Sequence, residues 1–276
     1  MTNMEKLHQV DLDIVKEVIR ICDENGLTYY MSGGTLLGAV RHNGFIPWDD
    51  DIDLAMPRDD YETFLQIAPT LLPEHLQIVN YRTDPSYQYY ITRVRDVDTK
   101  VEEVRIGNDN RYTNASIDIF PLDGTPNPLW LRKLYFFRVM AHRAIMSLCY
   151  KDSIDRSRKR GKAEKLLLAV MEKLPIEKIF DPYKVKCKID RMMRKHKIEK
   201  AENIGCLMGA YRTNQIVPKR YFGSGRMYRF ETITMRGPEL YDEYLTQMYG
   251  DYMKLPPKES QKVHFKIVEI HGEPVE

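Results

Sequence analysis

MSGGTLLGAVRHNGFIPWDDDIDLAMPRDD, residues 31–60, opens on a glycine pair, passes an apolar turn and runs into four closely spaced carboxylates at Asp49, Asp50, Asp51 and Asp53. Like charges this close repel by about 1 kcal/mol per pair in water and about 4 kcal/mol in a partly buried site. A folded chain tolerates them most readily with a cation among them. In Asp51-Ile52-Asp53-Leu54 the alternation is strict. An extended strand therefore puts both carboxylates on one face, with Asp49 beside them, and turns Ile52 and Leu54 to the core. A few carboxylate oxygens, with positions left open for phosphate oxygens, are the usual way to hold Mg2+. A solvated acidic turn is the plainer reading, but such a turn does not need two acids in register with core residues.

The chain has 276 residues, enough for one large domain or two closely joined ones. Its formal net charge of +2 hides an asymmetry. Residues 151–200 hold 17 Lys/Arg against 8 Asp/Glu, and the rest holds 25 against 32. A basic block on an otherwise acidic protein favours anionic surfaces. No nucleic acid is expected as a partner, because no recognised binding module accompanies the charge. Cys22, Cys149, Cys187 and Cys206 show neither CxxC spacing nor a paired framework, which suggests a reducing compartment and argues against zinc. The first residues lack the pattern of a signal peptide, and no run approaches membrane-spanning length. The expected location is cytoplasmic, with room for peripheral contact at the inner face of the cell membrane.

On the near side of the acidic stretch, Leu7, Val10, Ile14, Val18 and Ile21 recur at helical spacing over residues 5–24, and Gly26 ends the run. Leu27–Met31 reads as a strand leading to Ser32-Gly33-Gly34, where glycines let a backbone approach a ligand. A short helix over Leu36–Val40 follows, and amides at such a helix start can cradle a phosphate. Arg41 either contacts a phosphate or pairs with a nearby aspartate; for His42 a structural role is the simpler one. On the far side, Asp59–Ala68 is expected as a helix, and Leu76–Asn80 and Tyr90–Val94 as strands. Ala115–Phe120 is a further strand, with Asp118 between Ile117 and Ile119. That alternation repeats the earlier one and can present a third carboxylate on a neighbouring strand. Beyond Pro121 the pattern turns helical, over Leu129–Tyr150, 163–173, 182–196 and 200–209, with a basic linker over 151–162. A strand over Phe230–Met235 and a helix over Glu239–Tyr249 close the chain.

A Gly-Gly turn, a strand bearing Asp-x-Asp and a later strand with a third Asp resemble the nucleotidyltransferase superfamily. The closer resemblance is to the LicD family of phosphocholine transferases. It rests on GGTLLGAVRHNGFIPWDDDIDLAMPRDDY at 33–61, SIDIFPLDG at 116–124, VPKRYF at 217–222 and LTQMYGDYMKLPP at 245–257. The first segment is also similar to fukutin-related enzymes that move polyol phosphates. The gap from Gly34 to Asp51 is longer than the superfamily's usual connection, though it suits LicD-like sequences. The resemblance implies an α+β fold: a nucleotidyltransferase-like mixed sheet flanked by helices, with an additional, mostly helical lobe. The implied division is 1–125 for the catalytic core, 126–212 for the basic helical lobe and 213–276 for a C-terminal segment that packs back on the core.

The resemblance also implies a reaction, the transfer of phosphocholine from CDP-choline to a sugar hydroxyl of a cell-surface glycan precursor of the teichoic acid type, with release of CMP. In that reading Mg2+ sits on Asp51 and Asp53, with Asp49 as a helper. Asp118 completes the metal site or takes the proton of the attacking hydroxyl. Gly33, Gly34, Thr35 and Arg41 hold the donor's phosphates. A quaternary ammonium carries no hydrogen-bond donor, so it is recognised by aromatic faces and negative charge, each contact worth ~0.5–2 kcal/mol. Trp48, Tyr81, Tyr87, Tyr89, Tyr90 and Tyr112 are the candidates for that cage, although each taken alone is more readily a packing residue. The basic block and the apolar, Arg-bearing Leu129–Tyr150 segment fit a lipid-linked acceptor at an anionic membrane, against the plainer reading of a solvated helix pair. Three other functions compete: transfer of another alcohol phosphate such as ribitol phosphate from its CDP donor, transfer of NMP from an NTP to a small molecule, and glycan binding without catalysis.

Overall fold

A computed structural model of the chain describes residues 1–103, 111–150, 179–261, 263 and 265–275; the expected linker over 151–162 and helix over 163–173 lie outside the described residues. α1 (Asn3–Glu24) begins in a reciprocal cap, in which Thr2 Oγ1 accepts the Glu5 amide and the Glu5 carboxylate accepts the Thr2 amide. Its stripe of Leu7, Ile14, Val18 and Ile21 is buried, and Asp11 lies buried in the same stripe. β1 (Tyr30–Met31) then delivers the chain to α2 (Gly33–His42), which starts at the first glycine, three residues before the expected helix. β2 (Asp53–Pro57), α3 (Arg58–Leu71), β3 (Leu76–Val79), β4 (Thr92–Glu103) and β5 (Arg111–Gly124) follow in order. The later elements are α4 (Leu129–Cys149), α5 (Pro182–Met193), β6 (Asn203–Gly205), β7 (Val217–Pro218), the hairpin β8 (Arg226–Phe230) and β9 (Ile233–Gly237), α6 (Tyr241–Tyr249), β10 (Phe265–Ile270) and β11 (Glu273–Pro274).

The fold is α+β, a mixed sheet flanked by helices. Nine strands among the described residues form one sheet with the path β1-β2-β5-β4-β10-β11, β3 lying beside β4, and β6 and β7 continuing from β5. β2 and β5 run parallel, and the other pairs are antiparallel. The register of β4 on β5 shifts between Arg95 and Lys100, and this break divides β4's outer edge. Its first half takes β3 and its second half takes β10.

The main core draws Val15, Val18 and Ile21 from α1, Ile52, Leu54 and Met56 from the acidic stretch, and Phe230, Met235, Leu245 and Met248 from the end of the chain. A second cluster gathers Tyr81 and Tyr90 with Val139 of α4, Ile189 and Met193 of α5, and Leu207. Buried Arg58 joins the two. Its Nε donates to Asp123 at 2.8 Å, its Nη1 to Asp190 at 3.0 Å and its Nη2 to the Tyr90 hydroxyl at 3.1 Å. A cation this deep is tolerated because each of its faces is paired.

Two expectations are corrected here. The helix over 200–209 is instead a single turn at Ile198–Lys200 followed by β6, because Asn203–Gly205 pairs with the end of β5 and with β7. The strand over Phe230–Met235 is folded into a hairpin at Glu231-Thr232. Glu231 takes φ 52°, its amide donates to the Asn43 carbonyl at 2.8 Å, and its carboxylate accepts the Phe45 amide at 3.0 Å.

Candidate active site

β2 and β5 carry Asp53 and Asp118 at partnered positions on adjacent strands. The Asp118 amide donates to the Ile52 carbonyl at 2.8 Å, so the start of β2 is tied to β5. Ile52 and Leu54 are fully buried, as the alternation required. Asp51 lies in the loop just before β2, and that loop turns it toward its predecessors. One carboxylate oxygen from each of Asp49, Asp50 and Asp51 falls within 4.8 Å of the others. Asp50 was not among the expected ligands. It is buried, and its Oδ2 accepts the Phe265 amide at 2.6 Å.

The glycine corner is in contact with these acids. Gly33 has φ +53°, in the left-handed region, and a Cβ there would stand 2.9 Å from Asp53 Oδ2. A Cβ on Gly34 would collide with the Asp49 carboxylate. Thr35 Oγ1 accepts the Asp53 amide at 2.8 Å, so the start of α2 fixes the start of β2. Ser32 precedes the helix without capping it; its Oγ lies 3.2 Å from the Tyr244 hydroxyl. Arg41, at the other end of α2, donates through Nε to His42 Nε2 at 2.9 Å and through Nη1 to the Tyr252 carbonyl at 2.8 Å. Burial lowers its pKa, and Tyr249 partly offsets that.

Sequence reading missed three residues around the acids. Arg93 stands opposite Asp118 on β4, and its Nε donates to Asp118 Oδ1 at 2.7 Å. His8 Nε2 donates to the Asp49 carbonyl at 2.8 Å, with its ring stacked at 3.7 Å on Phe45. Burial lowers its pKa. Asp11, one turn on, is 1% exposed, and neither of its oxygens has a hydrogen-bond partner among the described residues. Burial, and after it the charges of Asp51, Asp50 and Asp118, push its carboxyl well above the usual range. A signal for Asp11 was present: it interrupts the apolar stripe of Leu7, Ile14 and Val18.

Asp53 is likewise raised, first by burial and then by Asp51, Asp118 and Asp49, with Arg93 opposing. An orphaned buried carboxylate within the field of other carboxylates is a costly arrangement that added positive charge relieves. The donor set is all oxygen and fits a hard divalent cation.

The six residues expected to cage the ammonium fall in several places, with Tyr81 stacked on Tyr90 at 5.7 Å. Trp48 packs on the main core, edge-on to His42 at 6.4 Å. Tyr81 lies under Arg82 and Lys186, at 5.7 and 6.0 Å. Tyr90 is buried, and its hydroxyl donates to Asp190 at 2.7 Å. Tyr87 and Tyr89 meet edge to face at 5.5 Å; Arg93 covers Tyr89 at 4.7 Å, and the Tyr87 hydroxyl is buried without a partner among the described residues. Tyr112 lies six residues before Asp118 on β5, roughly 20 Å away along the strand. It sits under Lys100 at 4.7 Å, in a cleft of about 610 Å³ that also involves His271.

The chain matches the family described as LicD/FKTN/FKRP, nucleotidyltransferase domain, over residues 26–145, which include the glycine corner, the acidic loop and Asp118. It is 33% identical over 262 residues to the lipopolysaccharide cholinephosphotransferase LicD of Haemophilus influenzae, a match covering 92% of this chain and 93% of that protein. Shorter matches accompany it, two of which follow. One is 43% identical over 56 residues to an uncharacterised protein of Rickettsia typhi, covering 20% of this chain and 18% of that one. The other is 40% identical over 48 residues to the ribitol 5-phosphate transferase FKRP of Homo sapiens, covering 17% and 10%.

Proposed function

The chain belongs to the LicD family, and on that premise we propose that it transfers phosphocholine from CDP-choline to a hydroxyl of a cell-surface glycan precursor, releasing CMP. The observation that carries the reading is the contact of the glycine corner with Asp49 and Asp53, one strand away from Asp118. In this reading that corner serves a diphosphate, a cation and a proton acceptor together.

In this reading Asp49, Asp51 and Asp53 would hold Mg2+, with Asp50 beside them. A bound Mg2+ supplies neutralisation of the charge on the diphosphate and the departing CMP. Gly33, Gly34 and Thr35 orient the phosphates through amides at the start of α2, and Arg41, at the far end of that helix, would have to reach them from there. Asp118, held through Oδ1 by Arg93, takes the proton of the acceptor hydroxyl, help typically worth ~10²–10⁴-fold. The division at residues 125 and 212 belongs to the same proposal.

The acceptor we infer is a teichoic acid type of precursor on a lipid carrier, met at the inner face of the membrane. No helix among the described residues is long and apolar enough to cross a bilayer. α4 nevertheless exposes Leu129, Trp130, Leu134 and Phe137 at 57, 68, 50 and 72%, beside Arg132 and Lys133, which suits shallow contact with anionic lipid.

CDP-choline labelled in either half tests the reaction. Label reaching the glycan from choline and not from cytidine is the expected result; label from cytidine would identify a nucleotidyl transfer instead. Converting Asp51 and Asp53 to Asn separates enzyme from binder, since turnover should fall by several orders of magnitude while a mere glycan-binding protein keeps its affinity. The short likeness to a ribitol 5-phosphate transferase favours one second reading, ribitol phosphate from its CDP donor, and CDP-ribitol offered in competition distinguishes it.

A further inference from the structure

Among the described residues, Tyr81, Tyr89 and Tyr112 each lie under a cation of this chain, and the Tyr90 ring is buried. A second cation brought to an occupied ring meets repulsion where it should meet attraction. In a phosphocholine the nitrogen is separated from phosphorus by one oxygen and two carbons. A site for the ammonium must therefore lie within a short side chain's length of the site for the phosphate, and Tyr112, far along β5, is out of reach.

Another pair of rings meets both conditions. Tyr211 is 43% exposed on the turn after Gly209 and stands edge-on to Tyr249, with ring centroids 5.1 Å apart. The Tyr249 hydroxyl is 3.7 Å from the point where a side chain would leave Gly33, the same point that Asp53 Oδ2 approaches to 2.9 Å. Partial burial and the carboxylates of Asp49, Asp53 and Asp51 raise the pKa of the Tyr211 hydroxyl, while a hydrogen bond with Tyr249 opposes them. The electrostatic surroundings of the pair thus include the acids of the candidate site. No Lys or Arg of the described residues lies over either ring.

Resting on the phosphocholine reading above, we propose that Tyr211 and Tyr249 form the recognition corner for the donor's quaternary ammonium, at the rim of the acidic loop. Two rings set at right angles make a concave apolar corner, and methylated nitrogen needs just such a surface with carboxylates close by. The loop acids then serve both ends of the phosphocholine group, the phosphate through a cation and the ammonium directly. Neither tyrosine acts on the reacting atoms; they set which alcohol phosphate is accepted.

The test is titration of the whole chain, with Mg2+ present, by CDP-choline, CDP-ethanolamine and CDP. Tyr211→Leu is expected to weaken CDP-choline binding by about two- to thirty-fold, to leave CDP binding unchanged and to narrow the preference for choline over ethanolamine. Tyr211→Phe keeps the ring face and should keep that preference. An equal loss for CDP would mean that Tyr211 only supports the fold. Unaltered CDP-choline binding in Tyr211→Leu, with CDP-choline still the working donor, overturns this proposal alone. A wild-type chain that ignores CDP-choline and consumes CDP-ribitol overturns the donor reading and this proposal together.

Discussion

Asp11 and Lys186 are both buried titratable groups that, among the described residues, have no partner of opposite charge in hydrogen-bond contact, and each gives a measurable consequence. Asp11 stands among other carboxylates, so removing its charge should stabilise the ion-free protein and weaken what a cation adds. Asp11→Asn is expected to melt higher than wild type in EDTA and to gain less from added Mg2+, as read by thermal denaturation. An identical Mg2+ shift in both proteins would show that Asp11 faces no cation. Lys186 is fully buried on α5, with its Nζ on the Tyr87 carbonyl and, at 2.9 Å, on the Tyr150 hydroxyl. Burial lowers its pKa from 10.5 to about 8. The unfolded chain then binds more protons than the folded one between about pH 8 and 10.5, so this group adds stability as pH rises through that window. Lys186→Met should accordingly exceed wild type in stability below pH 8 and lose that advantage by pH 10.5, in denaturant titrations across the range. A difference that does not vary with pH would refute the assignment.

At the scale of elements, α4 carries the sharpest expectation. Trp130→Glu combined with Phe137→Glu should abolish co-sedimentation with vesicles containing anionic phospholipid and leave turnover on a soluble acceptor unchanged. Retained sedimentation would place any membrane contact elsewhere. The comparison of elements also shows what local sequence can carry. The alternation around Ile52 and Leu54 and the spacing along α1 are set by burial of neighbouring residues, and both are legible in the chain itself. β6 and the β8–β9 hairpin were not legible, because distant segments decide them. Asn203–Gly205 is a strand on account of Asp123 and Val217, and Glu231 turns because Asn43 and Phe45 are there to hold it. The site divides in the same way. Asp49, Asp51, Asp53 and Asp118 announce themselves by pattern. Arg93 and Tyr249 look ordinary in sequence and come beside the candidate site only through strand register and the return of the C-terminal segment.

For the molecule as a whole, Arg58 is the joint. It belongs to the helix that follows the acidic strand, yet two of its partners, Asp123 and Asp190, come from the end of β5 and from α5. Glu62, Arg82 and Arg194 extend the same network outward. Arg58→Met should cost about 3–5 kcal/mol in denaturant unfolding, because buried Asp123 loses its salt-bridge partner while Asp190 keeps only Arg194 and Arg82; a loss under 1 kcal/mol would mean that the two clusters stand without this joint. A second tie has a longer reach. The Phe265 amide holds Asp50, so β10 is fastened to the middle of the acidic loop. Trimming residues 265–275 should lower the affinity for Mg2+ ahead of any fall in melting temperature. Whatever pulls on the tail, whether a protease, a fused tag or a neighbouring molecule, thereby reaches the acidic loop like a hand on a tuning peg, far from the string it sets.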